Sequence, residues 1–371
     1  MDFSWDLLLN KQSIGVPFGG VRFSHMLSDF GTSGCATGQF KFDVYDESGI
    51  YGRALLEDVP VKLVEKNSQT LPSRTYYISK RSISKNICHF VAYDVMSRVE
   101  QDFVGNFTDD EIPCGNVLEA IKIQCGFTSV GTSGGGTEYI KFTRDQLTDK
   151  TVRGVLDMIS TALCGTWLAT QDDGIVLSCF GQPYDDIAHY SKYSEIDYQG
   201  RQKITKLICT NTETGKVNEM STGEYGTVIT INSPFVAAGT PLDGVVWGRL
   251  QNYVYQAWHC DKAILDGFIP ASSRFYFGDF GDSDTMLLAN NITLDVDSTG
   301  IYFSGGADPQ DEEQWKYDDY TQRQLNKKLE LDERNGNMAL TKEGMKIFTN
   351  YNESADNRKK STVIRAFKSE V

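Results

Sequence analysis

Four histidines (His25, His89, His189 and His259) and eight cysteines are the residues of this chain best suited to acid–base, metal or nucleophilic chemistry. Two of the histidines adjoin a cysteine, in Cys88-His89 and His259-Cys260. A Cys–His nucleophile needs thiol and imidazole on one side of the backbone, and neighbours on a strand point to opposite faces. No H-x-x-x-H or H-E-x-x-H spacing accompanies these histidines. Asp185-Asp186 and Asp318-Asp319 are paired carboxylates of the kind glycoside hydrolysis uses, but adjacent side chains rarely face one substrate, and a solvated surface explains them. Asp295-Val296-Asp297-Ser298-Thr299-Gly300 opens like a calcium loop, yet the twelfth position is Gly306 rather than a bidentate Glu, so a turn between strands is expected. Residues 131–137 (GTSGGGT) lack the lysine of a phosphate cradle and are expected to form a flexible loop. Trp247, Tyr253, Tyr255 and Trp258 lie close in sequence; a partner-binding patch is one reading, core packing the stronger one. No residue is assigned a catalytic, cofactor-binding or metal-binding role, no cofactor is expected, and an enzyme is not indicated.

The elements that would have to position such residues are mostly strands. In 39–45, Phe40, Phe42 and Val44 alternate with polar neighbours, the period of a half-buried strand, and 46–49 reads as a turn. Further strands are expected at 59–65, 75–79 and 87–93, a spacing that suits a barrel or sandwich. Asn116 with Glu119 resembles a capping box and predicts a helix running to about Gln124. Val152, Val155, Leu156, Ile159, Ala162 and Leu163 form one helical stripe. Residues 167–169 and 175–179 follow as a hairpin turned by Asp172-Asp173-Gly174. Residues 203–210 and 226–231 read as a meander, ended at Asn232-Ser233-Pro234-Phe235 because Pro cannot continue a ladder. A helix is expected over 242–255, although Gly244 and Gly248 weaken it. Strand regions are expected around Phe275, Phe277 and Phe280, at 285–288 and at 301–304. The stretch 308–333 should be partly helical, and the polar tail from 335 to 371 should order against a partner.

Composition narrows the function. A length of 371 residues suggests two or three domains, and 40% hydrophobic with 12% aromatic residues supplies sizeable cores. Thirty-six basic against fifty acidic residues leave a charge of −14, which disfavours stable binding to nucleic acid or to an anionic membrane surface. The start, Met1-Asp2-Phe3-Ser4-Trp5-Asp6, lacks the basic segment of a secretion signal, and no stretch is long and apolar enough to span a bilayer. The cysteines form no C-x-x-C pair and are expected to be reduced and mostly buried, in a protein folded in the cytoplasm.

Three stretches, taken in order, carry a family resemblance. They are Ala36-Thr37-Gly38-Gln39-Phe40-Lys41-Phe42-Asp43-Val44 with Val59-Pro60-Val61-Lys62-Leu63 and the strand from Tyr77 to Ile83; the helix and hairpin from Thr151 to Phe180; and Thr227-Val228-Ile229-Thr230-Ile231-Asn232-Ser233-Pro234-Phe235. The chain resembles, over roughly residues 35–280, the baseplate hub (tail hub) proteins of contractile phage tails and phage-tail-like bacteriocins, the R-type tailocins. The resemblance implies a β-rich α+β, multidomain chain. Two tube-like β-barrel domains (1–110 and 181–280) would flank a small α/β module (111–180), and 281–371 would hold C-terminal strands, helix and polar tail. It implies a homotrimer whose six barrels make a pseudo-hexameric ring between tail tube and central spike. Tail tube, spike, other baseplate and tape measure proteins would be its partners, and it would assemble in the bacterial cytoplasm into the particle's baseplate. No active site carries over from this family. A siphophage tail-tip protein is the alternative, with a tail-attached peptidoglycan hydrolase a more distant one.

Overall fold

Alternation dictates the first block of strands. In Gln39–Tyr45, Phe40, Phe42 and Val44 turn inward while Lys41 faces solvent, as a pleated ribbon with one apolar face requires. The computed structural model describes residues 5–15, 18–26, 34–53, 58–65, 74–181, 187–193, 196–251, 253–265, 274–277, 287–288, 291–297, 300–307, 338–341, 344–348 and 361–364. The first block comprises β1 (Trp5–Leu9), β2 (Gln12–Ser13), β3 (Phe18–Met26), β4 (Gln39–Tyr45), the short helix α1 (Ile50–Arg53), β5 (Pro60–Glu65), β6 (Tyr76–Ser84) and β7 (Ile87–Tyr93). Its inner face stacks rings across strands: Phe23 on Phe40 at 4.4 Å and Phe42 on Phe90 at 5.0 Å. Each such side chain contributes roughly 1.5–3 kcal/mol by leaving water.

One charged pair sits within this apolar surround. Arg74, ahead of β6, meets Asp94, after β7, at 3.2 Å, and both side chains are 1% exposed. The Asp94 carboxylate also accepts from the Gly38 amide at 2.8 Å and the Met96 amide at 3.1 Å, so it ties three segments together. A Cβ at Gly38 would lie 2.7 Å from Asp94 Oδ2, which leaves room there for glycine alone. Burial pushes the Asp94 carboxyl up to about 6 against the opposing pull of Arg74. Two Arg74 nitrogens, Nε and Nη2, have no hydrogen-bond partner among the described residues.

The α/β module follows: β8 (Ile112–Pro113), α2 (Cys114–Cys125), β9 (Val130–Thr132), β10 (Lys141–Phe142), α3 (Arg144–Leu147), α4 (Val152–Leu163), β11 (Gly165–Ala169) and β12 (Ile175–Cys179). Helix α4 has the expected bounds: Thr151 Oγ1 caps the Gly154 amide, and the apolar stripe is buried. Helix α2 begins two residues before the expected capping box. Pro113 occupies its N-cap without a side-chain bond, and the Ile140 carbonyl takes the Cys114 amide instead. Glu119 therefore lies inside the helix and pairs with Lys122. The β11–β12 hairpin is as expected, and β9 runs parallel to β12. The first block joins this sheet: Trp167 bridges Cys35, with Trp167 N bonding Gly34 O at 2.8 Å and Ala36 N bonding Trp167 O at 2.9 Å.

The second block contains β13 (Ile187–Tyr193), β14 (Ile196–Thr210), β15 (Val217–Ser221), β16 (Thr227–Asn232), α5 (Leu242–Leu250), β17 (Val254–Leu265), β18 (Arg274–Phe277), β19 (Leu287–Leu288), β20 (Asn291–Asp297) and β21 (Gly300–Ala307). It is not a simple meander: β15 runs antiparallel to β14, and β16 runs parallel to it on the other side. Five residues suffice for that crossing, because Thr222 N bonds Thr205 O and Gly226 sits close over Lys203. Helix α5 stops at Leu250 rather than 255, since Gln251 leaves helical geometry and the β-branched Val254 opens a strand. The expected strand end holds, for β16 finishes at Asn232 and Phe235 is buried edge-on against Phe142 at 4.8 Å.

The fold is β-rich with several sheets and few helices. Strand β20 pairs with β3 from Asn291↔Met26 to Val296↔Val21, so the two strand blocks share one 16-stranded sheet. No ladder among the described residues closes this path on itself. Contacts divide the chain into units Met1–Tyr317 and Asp318–Val371. The second unit contains an antiparallel sheet of β22 (Met338–Thr341), β23 (Gly344–Phe348) and β24 (Ser361–Ile364), in a stretch expected to be a polar tail. The helix expected within 308–333 lies outside the described residues.

Candidate functional site

The shared sheet presents a polar face where its two blocks meet, and register alone assembles it. Val21 and Phe23 point into the core, so Arg22 points out; Leu294 and Val296 do the same for Asp295. The β3–β20 ladder sets Arg22 directly opposite Asp295, and the β3–β4 ladder sets Arg22 opposite Lys41. Asp295 faces Tyr302 on its other side. The guanidinium clasps the carboxylate with two bonds, Nε–Oδ1 at 2.6 Å and Nη2–Oδ2 at 3.1 Å. That hydrogen bond, with the charge of Asp295, raises the Arg22 pKa further. Lys262 Nζ lies 4.0 Å from the centre of the Tyr302 ring, and His89 Nδ1 is 2.8 Å from Asp43 Oδ1. Arg22, Lys41, Asp43, Lys262, Asp295 and Tyr302 line an open cleft of about 810 Å³.

This surface is mixed in sign, and Arg22 is matched with Asp295 across it. That pair is half-exposed and worth roughly 0–1 kcal/mol. None of the thiols with a resolved shift has the lowered pKa that a nucleophile needs. Cys88 is buried on the core side of β7 with its thiol raised by burial, while His89 occupies the opposite face. Cys260 is likewise buried and raised, and His259 turns to Asp261 at 3.0 Å. Burial pushes Cys114 and Cys164 up to about 12 and Cys125 up to about 11. All eight cysteines are free, seven of them buried.

The remaining candidates divide. Asp295 to Asp297 lie in strand β20, and Asp297 pairs with Gly300 of β21, while Ser298 and Thr299 lie outside the described residues. The glycine stretch 131–137 is closely packed in part. It starts as strand β9, and a Cβ at Gly134 would strike Arg249 and Cys179. Residues 131–135 also fit the G-x-S-x-G spacing of a nucleophile elbow. Ser133 Oγ, however, accepts the Cys179 amide at 2.9 Å, and both histidine rings described lie elsewhere, on Asp43 and Asp261. Trp258 is buried on Phe303, and Tyr253 meets Phe180 edge-on, so that aromatic run is split between core contacts. Asp185-Asp186, Asp318-Asp319 and the side chains of His25, His189 and Tyr255 lie outside the described residues. Among the described residues no group of three His, Cys, Asp or Glu could hold a metal, and no helix is long and apolar enough to cross a membrane.

The polar face itself has a partial signature in the sequence. Alternation in 39–45 places Lys41 and Asp43 on one face. The pairing of Arg22 with Asp295, 273 positions away, has no local signal.

No family model and no curated protein matches this chain. Among solved structures, it is similar to the tail protein from Neisseria meningitidis MC58, at 12% identity and a TM-score of 0.50 over 82% of this chain and 96% of that one. It is also similar to the prophage MuSo2 43 kDa tail protein from Shewanella oneidensis, at 11% identity and a TM-score of 0.49 over 83% of this chain and 100% of that one. The Neisseria likeness shows a shared fold.

Proposed function

We propose that this chain is a structural protein of a phage-type tail, and within it the baseplate hub of a contractile tail or tailocin. The observation that carries the reading is the fold shared with the Neisseria tail protein, which extends over nearly all of that chain. In this reading three copies assemble. Residues 1–110 and 181–280 supply two tube-like domains per chain, 111–180 is a small α/β module between them in sequence, and 281–371 holds the C-terminal strands and tail. Ring closure comes from neighbouring copies, since among the described residues the sheet is an open path. The ring joins the tail tube to a central spike, with baseplate and tape measure proteins alongside. A chain of charge −14 suits a passage that DNA crosses without sticking, because like charge repels phosphates. The particle baseplate is the site of action, and no catalytic step is assigned.

The reading is tested by expressing the chain with its neighbouring tail proteins and imaging the particles. A ring at the tube–spike junction supports it. Clearing of a cell-wall zymogram by the purified chain, abolished by a single Cys, His or acidic substitution, would replace it with a tail-attached hydrolase.

A further inference from the structure

The sub-sheet around β14 has two open edges. Strands β15 and β16 both pair with residues 206–210 of β14, so they flank it on opposite sides. Neither has another partner strand among the described residues. Proteins normally blunt such edges with shortness, charge, proline or a bulge. Strands β2 and β19 are blunted in this way, at two residues each. Strand β16 is not: Thr227-Val228-Ile229-Thr230-Ile231-Asn232 is six residues with no charge and no proline. The surroundings are also unusually apolar. Of the nine large hydrophobic side chains exposed among the described residues, Val217, Tyr225, Val228 and Val254 belong to this sub-sheet or its margins. Tyr225, in the crossing between the two edges, is 93% exposed.

We infer that the open edge of β16 pairs with the open edge of β15 in a second copy of this chain. Direction favours this partner. Strand β15 is antiparallel to β14 and β16 is parallel to it. Two copies in the same orientation therefore bring β16 against the neighbour's β15 as an antiparallel ladder, the commoner pairing. The faces match as well, because both strands turn the same side of the sub-sheet toward α5 and the core, burying Ile229 and Ile231 while Val217 and Val228 stay outside. Such a contact is head-to-tail, and each copy keeps one edge for the next, so it closes into a ring or extends as a filament. The inference deepens the proposed hub by naming its contact, and it stands or falls separately.

The test follows the full-length chain by sedimentation over a concentration series, with amide exchange read at the same concentrations. The expected result is self-association in which the amides of both 217–221 and 227–232 slow together. Val228→Lys should raise the concentration for half-assembly by about tenfold, while Val228→Thr, which keeps a β-branched side chain, should leave it near the parent value. A chain that stays monomeric throughout, or that associates with either edge still exchanging freely, overturns the inference. Neither result touches the tail role, which particle imaging decides. Unchanged exchange of the α4 amides in each variant shows that the substitution acts at the edge and not on folding.

Discussion

Nine of the twelve residues of α4 are buried, whereas across the β3–β20 junction Arg22 and Asp295 are 60% and 45% exposed. The module is held by burial between neighbours in sequence; the sheet junction is held by register between strands far apart, with its charges left in water. The two ion pairs sharpen the same contrast. Arg74–Asp94 is sealed from solvent and ties three segments, while Arg22–Asp295 has better geometry but sits at the surface. Environment, more than bond length, decides what each contributes.

The largest expected effect is at the module's centre. Trp167 is fully buried, donates Nε1–H to the Leu156 carbonyl at 2.9 Å, and bridges the first block through Cys35. Trp167→Ala should cost about 3–5 kcal/mol by chemical denaturation. Arg74→Met comes next. It leaves Asp94 buried without its cation, and a loss of about 3–5 kcal/mol is expected at pH 8. The loss should shrink at pH 5, where Asp94 carries a proton.

The parent protein should show the same group in its pH dependence. The folded carboxyl of Asp94, pushed up to about 6, lies above its ordinary value, so between the two the folded state holds more protons than the unfolded state. Through this group stability falls as pH rises from about 4 to about 6 and is level above that, with a span of about 3 kcal/mol. Asp94→Asn should flatten this slope in denaturation midpoints measured across the range.

Smaller effects follow. Thr151→Ala removes the cap on the Gly154 amide and should cost about 1 kcal/mol. Arg22→Met should change stability by less than about 1 kcal/mol. A loss as large as that of Arg74→Met would erase the distinction between the two regions.

What the sequence discloses follows the same line. The strand Ile87–Tyr93 and the helix Val152–Leu163 are legible because alternation and the i, i+3, i+4 stripe are local. The start of α2 is not, because the carbonyl that satisfies Cys114 comes from Ile140. The helix expected over 242–255 overruns because strand pairing of Val254 with Lys203 overrides helical continuation. The parallel setting of β16 and the β3–β20 ladder depend on which strands meet, and period-2 alternation does not say which. The polar face was half legible for that reason: Lys41 and Asp43 share a side by alternation, while Arg22 and Asp295 meet only in the folded sheet.

The most direct test of the structural role is a cryo-electron microscopy map of the intact particle, at a resolution that separates strands. The expected result is this chain in a ring where tail tube meets spike. Particles that assemble with normal tails and infect or kill normally, with no density for this chain at that junction, would contradict it.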